Sequence, residues 1–343
     1  MTKAKRTTIS DIAAKSGYSK TAVSFAFNCP QRISESARDK ILAVAKELDY
    51  MPDPMARNFS LGKHMTIGFL LPQAVESALD NPYTQKVIIG MGEICEENGY
   101  SITLIPPLRS SIADAVKNAT VDGIIAMGIV FDSSITEVFR RRKLPVVVID
   151  ANSNDDIATV SIDDEKAAEI QMRSALEKGH KNIAIISLPD DAYASSDLDS
   201  ENTITKRMRG YYRVLEEFGI NPESVNIQSC DVTLENSKKT AFDILSKSKP
   251  TCFVCMSDIA AMGAISAIRD MGLDCPKDIS VIGFDGITDP LLTGIDLATI
   301  VQNPIEKGER AAELLFSIIG GHLDTEKVQT QFSLHDGGTL INL

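Results

Sequence analysis

The 343-residue chain has no apolar run approaching the roughly 18 residues that would cross a bilayer, which excludes a helical membrane protein. It has only 4 histidines, and these (His64, His180, His322 and His335) share no ligand spacing. Its 6 cysteines are scattered along the chain and read as small buried hydrophobes of a reducing compartment, not as a disulfide framework. Cys252 and Cys255 have the C-x-x-C form but lie in an apparent strand, where residues three apart face opposite sides. No metal and no cofactor is therefore expected. No P-loop, G-x-S-x-G or G-x-G-x-x-G stands in a strand-turn-helix context. With no nucleophile-base set either, no catalytic residues are expected and the chain does not read as an enzyme. The opening MTKAKRTTIS leads into polar helix signals rather than an apolar core, so a cytoplasmic protein without a secretory signal is expected.

What is present is an ordinary globular composition, 43% hydrophobic and 24% charged, long enough for two or three domains. The charge is uneven. The net charge is −12, yet residues 1–63 carry 11 Lys and Arg against 6 Asp and Glu. A small basic head thus precedes a strongly acidic body. A polyanion would be attracted to the head and repelled by the body.

The head has the local signals of a helix-turn-helix. Thr8 stands three residues before Asp11, a capping-box start, and Ile9, Ile12 and Ala13 follow at helical spacing. Gly17 is placed to end that helix in the left-handed region. Ser19 caps a second helix with Ala22, Val23 and Ala26 inward and Lys20, Thr21 and Phe25 free to point elsewhere. Ser34 caps a third with an apolar stripe of Ile41, Val44, Ala45 and Leu48. Two short helices joined by a tight turn and braced by a third would put the second helix in a DNA major groove.

From Met65 on, short apolar runs alternate with amphipathic stretches. TIGFLLP, SITLIP, GIIAMG and PVVVID form one series of strands, and NIAIIS, VNIQS, CFVCMS and DISVIGFD a second. Continuous apolar strands separated by helices mean parallel sheets buried on both faces, so two doubly wound α/β lobes are expected. Ligands of such sheets bind beyond the carboxyl ends of the strands. There stand Asp150, Ser257, Asp285 and Gln302, with Arg207 at a helix start and Tyr83 in Asn81-Pro82-Tyr83. Carboxylates and amides accept from hydroxyls, arginine donates in a fixed fork, and an aromatic ring stacks on an apolar sugar face. His180 follows a helix, where a cation would suit the dipole. The acidic stretch after Pro189 lacks the spacing of a calcium loop.

The whole chain resembles the lac repressor/galactose repressor family of bacterial transcription regulators. The family's segments stand in order: DIAAKSGYSKTAVS, ELDYMPDPMAR, NPYTQKVIIGMGE, VDGIIAMG, PVVVID, GHKNIAII, RMRGYYRVLEEFGI, FVCMSDIAAMGAISAIRDMGL, DISVIGFDG and ATIVQNPIEKGERAAELL. The resemblance implies a helix-turn-helix head over residues 1–52, a hinge helix over 53–63, and an effector-binding and dimerisation domain over 64–343 of periplasmic-binding-protein type. Its first lobe would comprise about 64–161 and 291–322, and its second about 162–290 and 323–343. It implies that Lys20 and Thr21 read bases, that Thr8, Ser19 and Ser24 meet phosphates, and that Ala56 and Phe59 enter the minor groove, Phe59 as the wedge where leucine is usual. Asn28 and Arg57 complete the DNA-contacting set. Phe25 replaces a usual arginine and Ser257 a usual asparagine. Arg207 and Asp285 match effector positions, with Asp150 beside them. The expected protein is a repressor that binds palindromic double-stranded DNA as a homodimer, without membrane contact, and is switched by a sugar or sugar derivative. The alternatives are a corepressor-dependent regulator with a purine-like effector and a cytosolic sugar-binding protein without DNA activity.

Overall fold

The computed structural model describes residues 7–53, 58, 62–129, 131–151, 157–189, 202–287, 294–322 and 325–343. The chain divides into two compact units, Met1–Met65 and Thr66–Leu343.

The first unit contains helices α1 (Ile9–Ser16), α2 (Lys20–Asn28) and α3 (Glu35–Glu47). The Asp11 carboxylate accepts from both the backbone N–H and the hydroxyl of Thr8, which closes the start of α1. Gly17 ends it at φ 77°, a region that costs a side chain but not glycine. The Ser19 hydroxyl accepts from Ala22 N–H at 3.1 Å and starts α2. Ser34 holds the N-cap position of α3, but its hydroxyl faces that of Ser36 instead of a backbone N–H. Ile12, Val23 and Ile41 are fully buried at the centre of this small core, with Ala26 and Ala45 beside them. Burying each of the larger three contributes about 1.5–3 kcal/mol.

The second unit has two sheets. The first runs β11-β5-β4-β3-β1-β2, all parallel, from β1 (Thr66–Leu70), β2 (Ser101–Ile105), β3 (Gly123–Met127), β4 (Val146–Ile149), β5 (Ala158–Ser161) and β11 (Lys327–Gln329). The second runs β12-β10-β9-β8-β6-β7, from β6 (Ile183–Ser187), β7 (Asn226–Ser229), β8 (Cys252–Cys255), β9 (Ser280–Asp285), β10 (Ala298–Gln302) and β12 (Phe332–His335). Only the β10–β12 pair of this sheet is antiparallel. Strands β3, β6 and β8 are buried at every residue, as the continuous apolar runs require. The helices are α4 (Val75–Leu79), α5 (Pro82–Glu97), α6 (Ile112–Asn118), α7 (Ser133–Arg142), α8 (Asp164–Glu177), α9 (Thr203–Glu217), α10 (Leu234–Lys247), α11 (Asp258–Asp270) and α12 (Pro304–Ile319). The two doubly wound lobes are those the sequence leads one to expect; β5 and α4 are additions to that reading.

The crossover corrects the expected lobe boundaries. The stretch 291–322 is expected in the first lobe, but its β10 pairs with β9 and belongs to the second sheet. The stretch 323–343 is expected in the second, but its β11 pairs with β5 in the first. Only α12 and β12 lie where that division put them: α12 packs on α5 in the first lobe and β12 pairs with β10. The chain thus passes to the first lobe between β10 and α12, stays there through β11, and returns to the second before β12. Chain order alone does not reveal this, because short edge strands can add to either sheet.

Close packing of α5 on α12 fixes the first-lobe side of the last crossover helix. A Cβ on Gly90 would lie 2.0 Å from the Ile305 carbonyl oxygen, and one on Gly308 would lie 2.2 Å from that of Val87. The two helices touch backbone to backbone, which brings the first turn of α12 beside Tyr83.

Candidate effector cleft and DNA-facing helix

In the head, Lys20 and Thr21 are exposed on the first turn of α2, and Thr8 and Ser19 are exposed at the starts of α1 and α2. Ser24, Phe25 and Asn28 are half-buried one and two turns on, and the Asn28 amide donates to the Ser24 hydroxyl at 3.3 Å. The Arg32 guanidinium carbon lies 5.6 Å from the centre of the Phe25 ring, so a cation still stands beside the position where the arginine is missing. Ala56, Arg57 and Phe59 lie outside the described residues.

In the body, Tyr83, Asp150, Arg207, Ser257, Asp285 and Gln302 all line one cavity. The two sheets supply them from their strand ends. Asp150 follows β4, Ser257 follows β8, Asp285 ends β9 and Gln302 ends β10. Asp150 and Asp285 adopt φ of 55° and 128°, a conformation that non-glycine residues enter at a cost. Strained strand-end carboxylates aimed into a shared cavity are what a ligand site requires and a fold does not.

A hydrogen-bonded chain connects the lobes. Tyr83 Oη donates to Asp150 Oδ2 at 2.5 Å. The Lys307 ammonium donates to Asp150 Oδ1, to Gln302 Oε1 at 2.5 Å and to Tyr83 Oη at 3.0 Å. Gln302 Nε2 in turn donates to Asp285 Oδ1 at 2.8 Å. The chain therefore runs from α5 and β4 of the first lobe, through Lys307, to β10 and β9 of the second. Across the cleft Arg207 donates through Nε to Asp164 Oδ1 at 2.9 Å and through one terminal nitrogen to the Met256 carbonyl at 2.7 Å. Its guanidinium lies 3.5 Å over the Phe284 ring. The Thr203 hydroxyl donates to the Asp150 carbonyl at 2.6 Å, tying α9 of the second lobe to the end of β4.

Burial dominates the electrostatics. It pushes Asp285 up to about 8, reinforced by the neighbouring Asp258 charge and opposed by Arg207 and the Gln302 amide. Burial likewise raises Asp164 against the pull of Arg207 and Lys307. Burial and the Asp150 carboxylate raise the Tyr83 phenol well above its ordinary range, so it stays a donor. Asp258 itself has a structural role, accepting from Ile287 N–H at 2.8 Å and from the Thr299 hydroxyl at 2.5 Å. The Ser257 hydroxyl caps α11, accepting from Ala260 N–H at 3.1 Å.

Sequence reasoning missed Lys307 and Asp164. The signal for Lys307 was there: it shares a helix face with the buried Ala311, Leu314 and Leu315, where a lysine needs a partner. It also misread His180, which is not a cation at a helix end. Burial lowers its pKa, and its ring nitrogens face Thr251 Oγ1 at 3.1 Å and the Ile341 carbonyl at 2.9 Å. Cys252 and Cys255 are buried in different clusters on opposite faces of the second sheet. Among the described residues no group of histidine, cysteine and carboxylate side chains could hold a metal ion, and no helix is long and apolar enough to cross a membrane.

Residues 8–53 match the family described as bacterial regulatory proteins, lacI family. Residues 64–336 match periplasmic binding proteins and the sugar binding domain of the LacI family. The chain is 31% identical over 327 residues to the HTH-type transcriptional regulator Rv3575c of Mycobacterium tuberculosis, covering 91% of this chain and 90% of that one. It is 30% identical over 325 residues to the HTH-type transcriptional repressor CytR of Escherichia coli, covering 92% and 90%. Its fold matches the lac repressor dimer bound to operator and an anti-inducer with a TM-score of 0.79 at 22% identity, covering 98% and 100%.

Proposed function

The chain belongs to the lacI family of bacterial regulatory proteins, as a DNA-binding transcription regulator with an effector domain of the sugar-binding kind, and from that premise we propose that it is a repressor, dimeric on a palindromic operator, switched by a sugar or sugar derivative held between its lobes. The observation that carries the proposal is the continuous hydrogen-bonded chain from Tyr83 and Asp150 through Lys307 and Gln302 to Asp285. A molecule seated in the cavity touches both lobes at once, so it favours one lobe arrangement over another. That preference is what couples a binding site to a separate DNA-reading head, on a usual scale of about 1–3 kcal/mol.

At the DNA, Lys20 and Thr21 read base edges from the exposed first turn of α2, while Thr8, Ser19, Ser24 and Asn28 meet the backbone. Phe25 gives an apolar contact, suited to a thymine methyl. Ala56, Arg57 and Phe59 form the hinge pair's minor-groove contacts, with Phe59 wedged at the central base step. The lac repressor, whose fold the chain shares, is a dimer on its operator.

The test is selection from a random duplex pool by the full-length protein without ligand, followed by sequencing. An enriched palindrome supports the reading, and its release on addition of a sugar supports the inducer mechanism. Enrichment of single half-sites only, or tighter binding in the presence of a purine, would replace the dimer or the inducer part of it.

A further inference from the structure

We propose that the cleft takes an uncharged polyhydroxylated effector and excludes phosphorylated or carboxylated ones, and that Lys307 sets this charge requirement. The proposal rests on the cleft being the effector site and narrows the class of molecule it holds.

Among the described residues one cation, Arg207, lines the cavity and a second, Lys307, lies behind the lining Asp150; both are paired with carboxylates. Arg207 lies in the lining, with Nε and a terminal nitrogen on Asp164, the other terminal nitrogen on the Met256 carbonyl, and its face on Phe284. Lys307 has three N–H donors and three acceptors, on Tyr83, Asp150 and Gln302. Lys307 is fully buried and Asp150 14% exposed, so the ammonium lies behind the carboxylate as seen from the cavity.

An incoming phosphate or carboxylate would therefore face Asp150 and Asp285 with no cation, among the described residues, whose charge is not already paired with a carboxylate. It would lose its hydration without a replacement partner. A polyol meets the opposite situation. The second lone pairs of the Asp150 oxygens accept from hydroxyls, Asp285 exchanges a hydrogen bond with a hydroxyl, and the remaining N–H bonds of Arg207 donate to one. Lys307 cancels the charge of Asp150, as Arg207 cancels that of Asp164. Burial keeps Asp285 protonated to about 8, next to Asp258, which is held by Ile287 and Thr299. Without Lys307, Asp150 would be an uncompensated anion at the cavity wall, and the site would select cations.

The test is calorimetric titration of the full-length protein with ribose, glucose and cellobiose, and with ribose 5-phosphate, glucose 6-phosphate and glucuronate. We expect saturable binding of a neutral sugar, with its anionic counterpart at least about thirtyfold weaker. Equal or tighter binding of an anionic probe, or no binding of any neutral one, overturns the proposal. Binding that survives Arg207→Ala shows that the cleft is not the site and overturns the underlying reading as well; anionic binding lost in Arg207→Ala overturns the charge rule alone. For Lys307, Lys307→Met should raise glucosamine over glucose by about tenfold, while Lys307→Met with Asp150→Asn, neutral again, should keep the parent preference. An unchanged ratio in the first, or a cation preference in the second, overturns the role given to Lys307.

Discussion

Lys307 and Asp150 form an ion pair in which the lysine side chain has no solvent exposure and the aspartate has 14%. Such a pair adds little by existing but costs much to break, because removing one partner strands the other charge. Lys307→Met should destabilise the body by about 3–5 kcal/mol. In a unit this size that is a fall in Tm of roughly 10 °C by differential scanning calorimetry. Adding Asp150→Asn should recover at least half of the loss. An unchanged Tm in the single variant would mean that the pair is not formed as described.

Asp285 holds its proton up to about 8 in the folded chain against an ordinary 3.8. Between those values the folded state binds more protons than the unfolded one. Its contribution to stability is thus fully present below about pH 4, falls as pH rises, and levels off above about 8. Asp285→Asn removes this dependence. The stability of the variant relative to the parent should climb steadily from pH 5 to 8 and then hold constant, read from denaturant unfolding at each pH. A difference that does not vary with pH would place the proton elsewhere in the Asp258–Asp285 pair.

These sites differ in how far the sequence alone revealed them. Caps and glycine stops act through neighbours a few residues away, so Thr8 with Asp11, Gly17, and Ser19 with Ala22 were legible. Strand-end polar residues were legible because a parallel sheet dictates where its ligands go, and Asp150, Ser257, Asp285 and Gln302 do meet in one cavity. The lobe order of β10, α12, β11 and β12 was not legible, since pairing of a short edge strand is decided by contacts far away in the chain. Lys307 was overlooked for a related reason. Its partners Tyr83 and Asp150 lie 224 and 157 residues away, and only their convergence makes a buried lysine tolerable.

The head has its own core, distinct from that of the body. Ile41 is fully buried between the three helices. Ile41→Ala should cost about 2–5 kcal/mol, a large share of what so small a unit possesses. The expected result is loss of operator binding in a mobility-shift assay, with the thermal transition of the body and its sugar titration unchanged. A body transition that moves with the head would contradict two separate cores.

Lys20 is exposed on the first turn of α2, and among the described residues no hydrogen bond or ion pair holds it. If it reads a base, Lys20→Ala should weaken binding to the selected operator by about 1–3 kcal/mol and relax sequence preference at one position of each half-site. If it only meets phosphate, the variant should weaken all sequences alike and lower the slope of log affinity against log salt by about 1 for each head on the DNA. The two outcomes separate in one experiment, repeating the pool selection with the variant and titrating salt on the enriched site. Phe25→Arg on the next turn provides the comparison. It introduces a guanidinium fork one turn further along α2, so it should shift preference toward guanine at an adjacent position, where the parent is expected to favour thymine. A selected site identical in both variants and the parent would remove α2 from the reading surface altogether.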